Sequence, residues 1–175
     1  MPVDADRTFV PVQIALLTVS DTRTLDDDVS GDILVERITR AGHVLADRAI
    51  SLDDVVSIVN HLDGWIDDDK VDAIITTGGT GLTGRDVTPE ALDLVKDKDI
   101  PGFGELFRWL SFESIGVSTI QSRACAAVAR GTYIFALPGS KGAVRDGWDK
   151  ILIHQLDSRH RPCNFVDLMP RLREH

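Results

Sequence analysis

Short apolar runs alternate with amphipathic stretches along the whole chain, and that alternation limits the folds open to it. Gln13 to Val19 reads QIALLTV, a nearly continuous apolar run that suits a strand buried on both faces. Val44 to Ile50, Val71 to Thr76 and Tyr133 to Leu137 read as further strands. Helical patterns lie between them. Ser30 is placed to cap a helix that runs to Ala41 and stops at Gly42. Asp53 or Asp54 opens a second, with Val55, Ile58, Val59, Leu62 and Ile66 on one face. Thr88-Pro89-Glu90 starts a third with a capping hydroxyl, a proline and an acid in order. Gly102 to Phe112 is a fourth, with Phe103, Leu106, Phe107 and Leu110 as its apolar side, and Ser118 to Ala129 reads as a fifth. A last helix follows Pro138-Gly139-Ser140 and continues to Leu156. This order predicts an α/β fold with a mostly parallel sheet covered on both faces.

The 175 residues suit one domain, 1–175, with residues 1–11 as a flexible N-terminal segment. The net charge of -9 argues against nucleic acid, which wants a basic face. A small anion stays possible, because backbone amides and a few local bases hold phosphate. Cys125 and Cys163 form no CxxC pair and the histidines do not cluster, which argues against zinc. Free thiols, no signal-peptide pattern and no long apolar run predict a cytoplasmic protein away from membranes.

Ligands of open α/β sheets bind beyond the carboxyl ends of the strands. Three such ends carry unusual sequence: Ser20-Asp21-Thr22, Thr76 to Gly81, and Pro138-Gly139-Ser140. Alone, each is a tight turn; together they point to an anion pocket, since successive amides in glycine-rich turns cradle phosphate. The most informative segment is TTGGTGLTGRDVTPE, Thr76 to Glu90, which is neither a P-loop nor GxGxxG. Asp86 beside such a cradle is a place to hold Mg²⁺, which prefers oxygen ligands and keeps waters. Arg85 either neutralises phosphate or pairs with a surface acid. Asp53 and Asp54, by residue type alone, are helix caps. The run Asp26 to Asp28 reads as solvated surface, and Ser122-Arg123 as a weak phosphate site.

The ordered set VSDTR (Val19 to Arg23), TTGGTG with Arg85-Asp86 and Thr88-Pro89-Glu90, PGFGELFR (Pro101 to Arg108), STIQSR (Ser118 to Arg123), LPGS (Leu137 to Ser140) and QLDSRHRPCNF (Gln155 to Phe165) resembles the MoaB/MogA family of molybdenum-cofactor proteins, on the MoaB side. The resemblance spans Val12 to about Phe165. It implies a three-layer αβα sandwich that assembles as trimers or hexamers. It also implies adenylylation of molybdopterin by MgATP with release of pyrophosphate, with Mg²⁺ as cofactor and a molybdate-insertion enzyme as possible partner. Asp86 and Asp53 carry over as catalytic residues, Asp86 also as the Mg²⁺ ligand. Thr77, Gly78, Gly79, Thr80, Gly81 and Arg85 carry over to the nucleotide, and Ser20, Asp21, Ser122 and Ser140 to molybdopterin. Leu52 stands where the family has a proline, so Asp53 and Asp54 compete for one role. The alternatives are a non-catalytic molybdopterin-binding protein of the same pathway, a related domain for molybdate insertion or nucleotide hydrolysis, and an acidic scaffold with an empty pocket.

Overall fold

A computed structural model describes residues 3–174. Its elements in chain order are β1 Gln13–Val19, α1 Val29–Arg40, β2 Val44–Ser51, α2 Val55–Ile66, β3 Ala73–Thr77, α3 Thr88–Val95, β4 Lys98–Asp99, α4 Pro101–Ile115, β5 Cys125–Ala129, β6 Thr132–Leu137, α5 Lys141–Gly147 and α6 Ile153–Gln155. A 3₁₀ segment, Gly116–Gln121, precedes β5, and a wide-turned stretch, Trp148–Leu152, joins α5 to α6. The six strands form one sheet in the order β2-β1-β3-β6-β5-β4. The first four are parallel; β5 pairs antiparallel with β6, and β4 pairs antiparallel with β5.

Alternate strand residues face opposite layers. Ile14 and Leu16 of β1 join Ile33, Leu34 and Ile38 of α1, Phe103 and Phe107 of α4, and Trp148 on one face. Ala15, Leu17 and Val19 join Ile58 and Leu62 of α2 and Ala91 and Leu92 of α3 on the other. Three layers result, as the resemblance implied. The chain leaves β1 for β2 on one side, then returns past β1 to β3 on the other. Strand order therefore reverses between β1 and β3, the place where α/β sheets bind ligands.

Several local readings are corrected. Ser118 to Ala129 is a 3₁₀ segment followed by β5, not a helix. Its alanines favour helix intrinsically, but pairing with β6 and burial of Ala126 to Ala129 override that preference. Arg130 and Gly131, both at positive φ, form the two-residue turn of the β5–β6 hairpin. Asp28, not Ser30, caps α1 by accepting from the Gly31 amide. Far from being solvated, Asp28 is buried, accepting 2.6 Å from the Thr18 hydroxyl and pairing with Arg48 at 3.0 Å. Of the N-terminal segment 1–11 expected to be flexible, Met1 and Pro2 lie outside the described residues, and the rest is tied to the chain's far end: Asp4 pairs with Arg161, Arg7 with Asp167, and the Val10 amide donates to Ser158. On α4, Phe103 and Phe107 are buried and Leu110 packs against the core. The uncovered apolar surface is instead Leu106, Trp109, Phe112, Ile115, Val117 and Ile120, with Trp109 69% and Ile120 81% exposed. No helix among the described residues is long and apolar enough to cross a membrane.

His43 closes the turn between α1 and β2. Its ring is buried between Phe9 and Trp148, and Nδ1 accepts from the Val12 amide at 3.1 Å. Protonating Nδ1 would set donor against donor. Burial pushes the His43 pKa below its ordinary 6.5, against the opposing pull of Asp157. Below pH 6.5 the unfolded chain takes up a proton that the folded His43 refuses, so stability falls with pH from there until the folded group titrates too. Burial and the neighbouring His160 push His154 the same way. His43→Asn keeps an acceptor and cannot titrate. Thermal melts between pH 8 and pH 5 should show a shallower loss for this variant than for the wild type; parallel profiles would contradict the assignment.

Candidate active site at the carboxyl edge of the sheet

The ends of β1, β3 and β6 converge on Gly78. Its φ is +105°, and a Cβ there would lie 2.3 Å from the Val19 carbonyl oxygen. Only glycine permits that approach. The Gly78 amide donates to Leu137 O at 3.0 Å, and the Thr77 hydroxyl donates to Pro138 O at 3.2 Å, tying β3 to β6. The Thr88 hydroxyl, expected as a helix cap, donates instead to Gly78 O at 2.8 Å and folds the start of α3 back onto the turn.

An acidic group lies on the β1–β2 side. The Asp21 amide donates to Asp53 Oδ2 at 3.0 Å, and the Asp53 amide donates to Asp21 Oδ1 at 3.1 Å. This reciprocal latch joins the ends of β1 and β2. Asp54 is the cap of α2, accepting from the Ser57 amide and hydroxyl at 2.8 Å each. The structure thus divides the two competing residues, Asp54 to the helix and Asp53 to the latch. Burial raises the Asp53 pKa first; the charges of Asp21 and Asp86 raise it further, while the Asp21 amide and Arg85 lower it. Asp86 is held ionised, chiefly by the Thr83 hydroxyl at 2.7 Å and also by the Thr83 amide at 2.9 Å. Arg85, 67% exposed, pairs with Asp21.

Two cavities flank the Pro138-Gly139-Ser140 turn. The first, about 330 Å³, is lined by Ser20, Arg23, Asp28, Ser30, Thr77, Ser140 and Lys141 among others. The second, about 460 Å³, is bordered by Thr80, Gly81, Phe107, Ser111, Ile115, Gln121, Ser122, Ser140, Arg145 and Asp146 among others. Of the expected residues, Ser20 and Thr77 line the first cavity, Thr80, Gly81 and Ser122 the second and Ser140 both, whereas Asp21, Asp53, Gly78, Gly79, Arg85 and Asp86 line neither. Ser20 and Ser122, assigned alike to molybdopterin, line different cavities, as do Thr77 and Thr80. Ser20 and Ser140 also do structural work: Ser20 accepts from the amides of Thr22 and Arg23, and Ser140 caps α5. Sequence reading did not single out Ser30, Lys141, Arg145 or Asp146. Ser30 had been read as a cap, yet its hydroxyl donates to Gly139 O at 2.8 Å. Lys141 directly follows the LPGS turn, the one signal that marked it.

Arg123 turns away from the role of a phosphate clamp. Its guanidinium donates to Gly81 O at 2.7 Å and Asp86 O at 2.6 Å and pairs with Glu90. Cys125 is no nucleophile, since burial pushes its thiol up to about 11. Among the described residues no three His, Cys, Asp or Glu side chains are grouped to enclose a metal ion.

Comparison with known proteins places this geometry. Residues 15–158 match the family model described as a probable molybdopterin binding domain. The molybdenum cofactor biosynthesis protein B of Escherichia coli (strain K12) is 50% identical over 157 residues, covering 90% of this chain and 92% of that protein. The chain belongs to the MoaB/MogA family of molybdenum-cofactor biosynthesis proteins. A crystal structure of molybdenum cofactor biosynthesis protein B superposes with a TM-score of 0.86 at 36% identity, covering 97% of this chain and 100% of the other. The tungsten cofactor synthesizing protein MoaB from Pyrococcus furiosus superposes at 0.77 with 31% identity, covering 94% and 98%.

The geometry of the Gly78 convergence makes a sharp demand. Gly78→Ala would push a methyl into the Val19 carbonyl at a positive φ. It should destabilise the protein by about 2 kcal/mol or more, through strain and separation of the strand ends. Denaturant melts check this; a midpoint equal to the wild type would contradict the close approach.

Proposed function

We propose that this protein transfers an adenylyl group from ATP to molybdopterin. A terminal phosphate oxygen of molybdopterin attacks the α-phosphorus of ATP, the bond to the β-phosphate oxygen breaks, and pyrophosphate leaves. The observation that carries the reading is the juxtaposition of a glycine-rich turn, two cavities and an acidic cluster at one sheet edge. The nucleophile is already a phosphate, so the protein's work is positioning and charge compensation rather than proton removal. The amides after Thr77 and the basic side chains Arg23 and Lys141 of the first cavity, with Arg85 outside it beside Asp21, suit phosphates; the more apolar cavity beside Phe107 and Ile115 suits a flat ring.

Asp86, and Asp53 of the latch with Asp21, would offer a divalent cation single carboxylates rather than a shared protein cage, and Asp53, raised first by burial and then by its acidic neighbours, is relieved by positive charge. With so few protein ligands grouped, waters and phosphate oxygens would complete the shell, as Mg²⁺ prefers. Bound Mg²⁺ would compensate the triphosphate's charge. Arg85 then has two available partners, Asp21 in the free protein and a phosphate oxygen in the complex.

Asp86→Asn should keep the fold and still admit molybdopterin, but lose adenylyl transfer by about 10²-fold or more, equivalent to about 3 kcal/mol. Asp53→Asn should lose activity as well. Asp54→Asn should retain activity and stability, because asparagine caps a helix as well as aspartate does. Pyrophosphate release from molybdopterin and MgATP, with thermal midpoints, reads all three. A fully active Asp86→Asn would overturn the catalytic reading, and molybdopterin binding without turnover in the wild type would favour a carrier of the same pathway.

The proposal includes a cytoplasmic homotrimer or homohexamer, supported by the uncovered face from Leu106 to Ile120. Light scattering should give three or six times the chain mass. Trp109→Glu, at the centre of that face, should shift the protein towards monomer. A wild-type monomer at working concentration would refute the assembly.

A further inference from the structure

We infer that Arg123 is a positioning residue that sets the shape of the Gly81–Asp86 turn, and through it the placement of Asp86. This rests on the reading of Asp86 given above. Arg123 follows Asp86 by 37 residues in the chain, and α4 and the 3₁₀ segment intervene; only the fold brings them together. Its main chain is anchored first, by an amide that donates to Thr80 O at 2.9 Å. The guanidinium then reaches into the turn. Nε donates to Gly81 O at 2.7 Å and Nη2 to Asp86 O at 2.6 Å, so one rigid plane spans the two ends of the turn. Both Nη atoms also bond the Glu90 carboxylate on α3, with Nη2 at 3.2 Å.

Those contacts occupy four of the five donors a guanidinium carries. One N–H on Nη1 is left over, so Arg123 could not offer a phosphate a two-pronged grip without giving up these contacts. Glu90 offsets its charge, so the brace ties the turn without neutralising Asp86 directly. The planar fork is essential to the arrangement: an ammonium has its donors on one nitrogen and cannot bridge two carbonyls and a carboxylate at once. Inside the turn, Thr83 and Asp86 hold each other by the Asp86 amide to Thr83 O at 3.0 Å and by the Thr83 bonds to the carboxylate. Arg123 closes this small loop from outside.

Arg123→Lys and Glu90→Gln test the inference by two readouts. In Arg123→Lys, deuterium exchange at the amides of residues 81–86 should quicken by about tenfold or more, with the central strands unchanged. A displaced Asp86 should lower kcat for pyrophosphate release by about 10- to 100-fold while KM for molybdopterin stays within about threefold. Glu90→Gln, which keeps a neutral acceptor, should change both in the same direction by less. Unchanged exchange at residues 81–86 overturns the brace. Quickened exchange with wild-type kcat and KM makes Arg123 merely structural and also overturns the inference. If the wild type transfers no adenylyl group, the proposed reaction fails separately. The affinity for MgATP then replaces kcat, and the inference stands only if Arg123→Lys weakens it along with the quickened exchange.

Discussion

Three backbone segments meet at Gly78, and the organisation of the carboxyl edge depends on that contact. Val19 O lies where a side chain would begin, Leu137 O accepts the Gly78 amide, and Gly78 O accepts the Thr88 hydroxyl. A bulkier residue would separate β1 from the turn after β3. β1 and β3 flank the reversal of strand order, so this contact lies at the place where open α/β sheets generally bind ligands. The two layers of helices bury the sheet faces through Leu16, Phe135 and Trp148 on one side and Leu17, Ile58 and Ile134 on the other, and the first turns of α1, α3 and α5 come up to this edge with Ser30, Thr88 and Lys141. The core thus supplies rigidity and leaves the edge free for polar work.

Charge at that edge is distributed by local hydrogen bonding. Asp28 is buried, yet it is compensated by Arg48 and the Thr18 hydroxyl, so it serves structure. Asp54 is likewise consumed by the first turn of α2. Asp21 and Asp53 grip each other's amides, which fixes two carboxylates side by side; burial and then the charge of Asp21 raise Asp53, against the lowering by the Asp21 amide. Asp86 is stabilised as the anion by Thr83. Acids of the same type therefore take different roles because their neighbours differ, and the cluster left with unbalanced negative charge faces the ligand edge.

Much of this was legible in the sequence. The buried strands announced themselves as apolar runs, and the hydroxyl- and glycine-rich strand ends marked the edge that carries the cavities. The β5 strand was missed because an alanine-rich run prefers helix until a neighbouring strand claims it, although Arg130-Gly131 between two apolar runs was a hairpin signal. The α1 cap lies two residues before the expected Ser30, at Asp28, and of the two acids read as the start of α2 it is Asp54 that caps; all four offer suitable oxygens and only the fold decides among them. Arg123 could not be read as a brace from sequence, because its acceptors are backbone carbonyls, which carry no residue signature. On α4, periodicity identified the apolar side that packs, with Phe103, Phe107 and Leu110 on the core and Leu106 partly outside, but it gave no sign that Trp109 and Phe112 are left exposed on the remaining surface.

The central claim is that this edge carries adenylyl transfer rather than binding alone. ATP labelled at the α-phosphate tests it most directly, incubated with the protein, Mg²⁺ and molybdopterin, with the products separated after quenching. The account predicts label on the pterin in equal amount to the pyrophosphate released, and none when Mg²⁺ is withheld. Molybdopterin that binds while the label stays in ATP would contradict it.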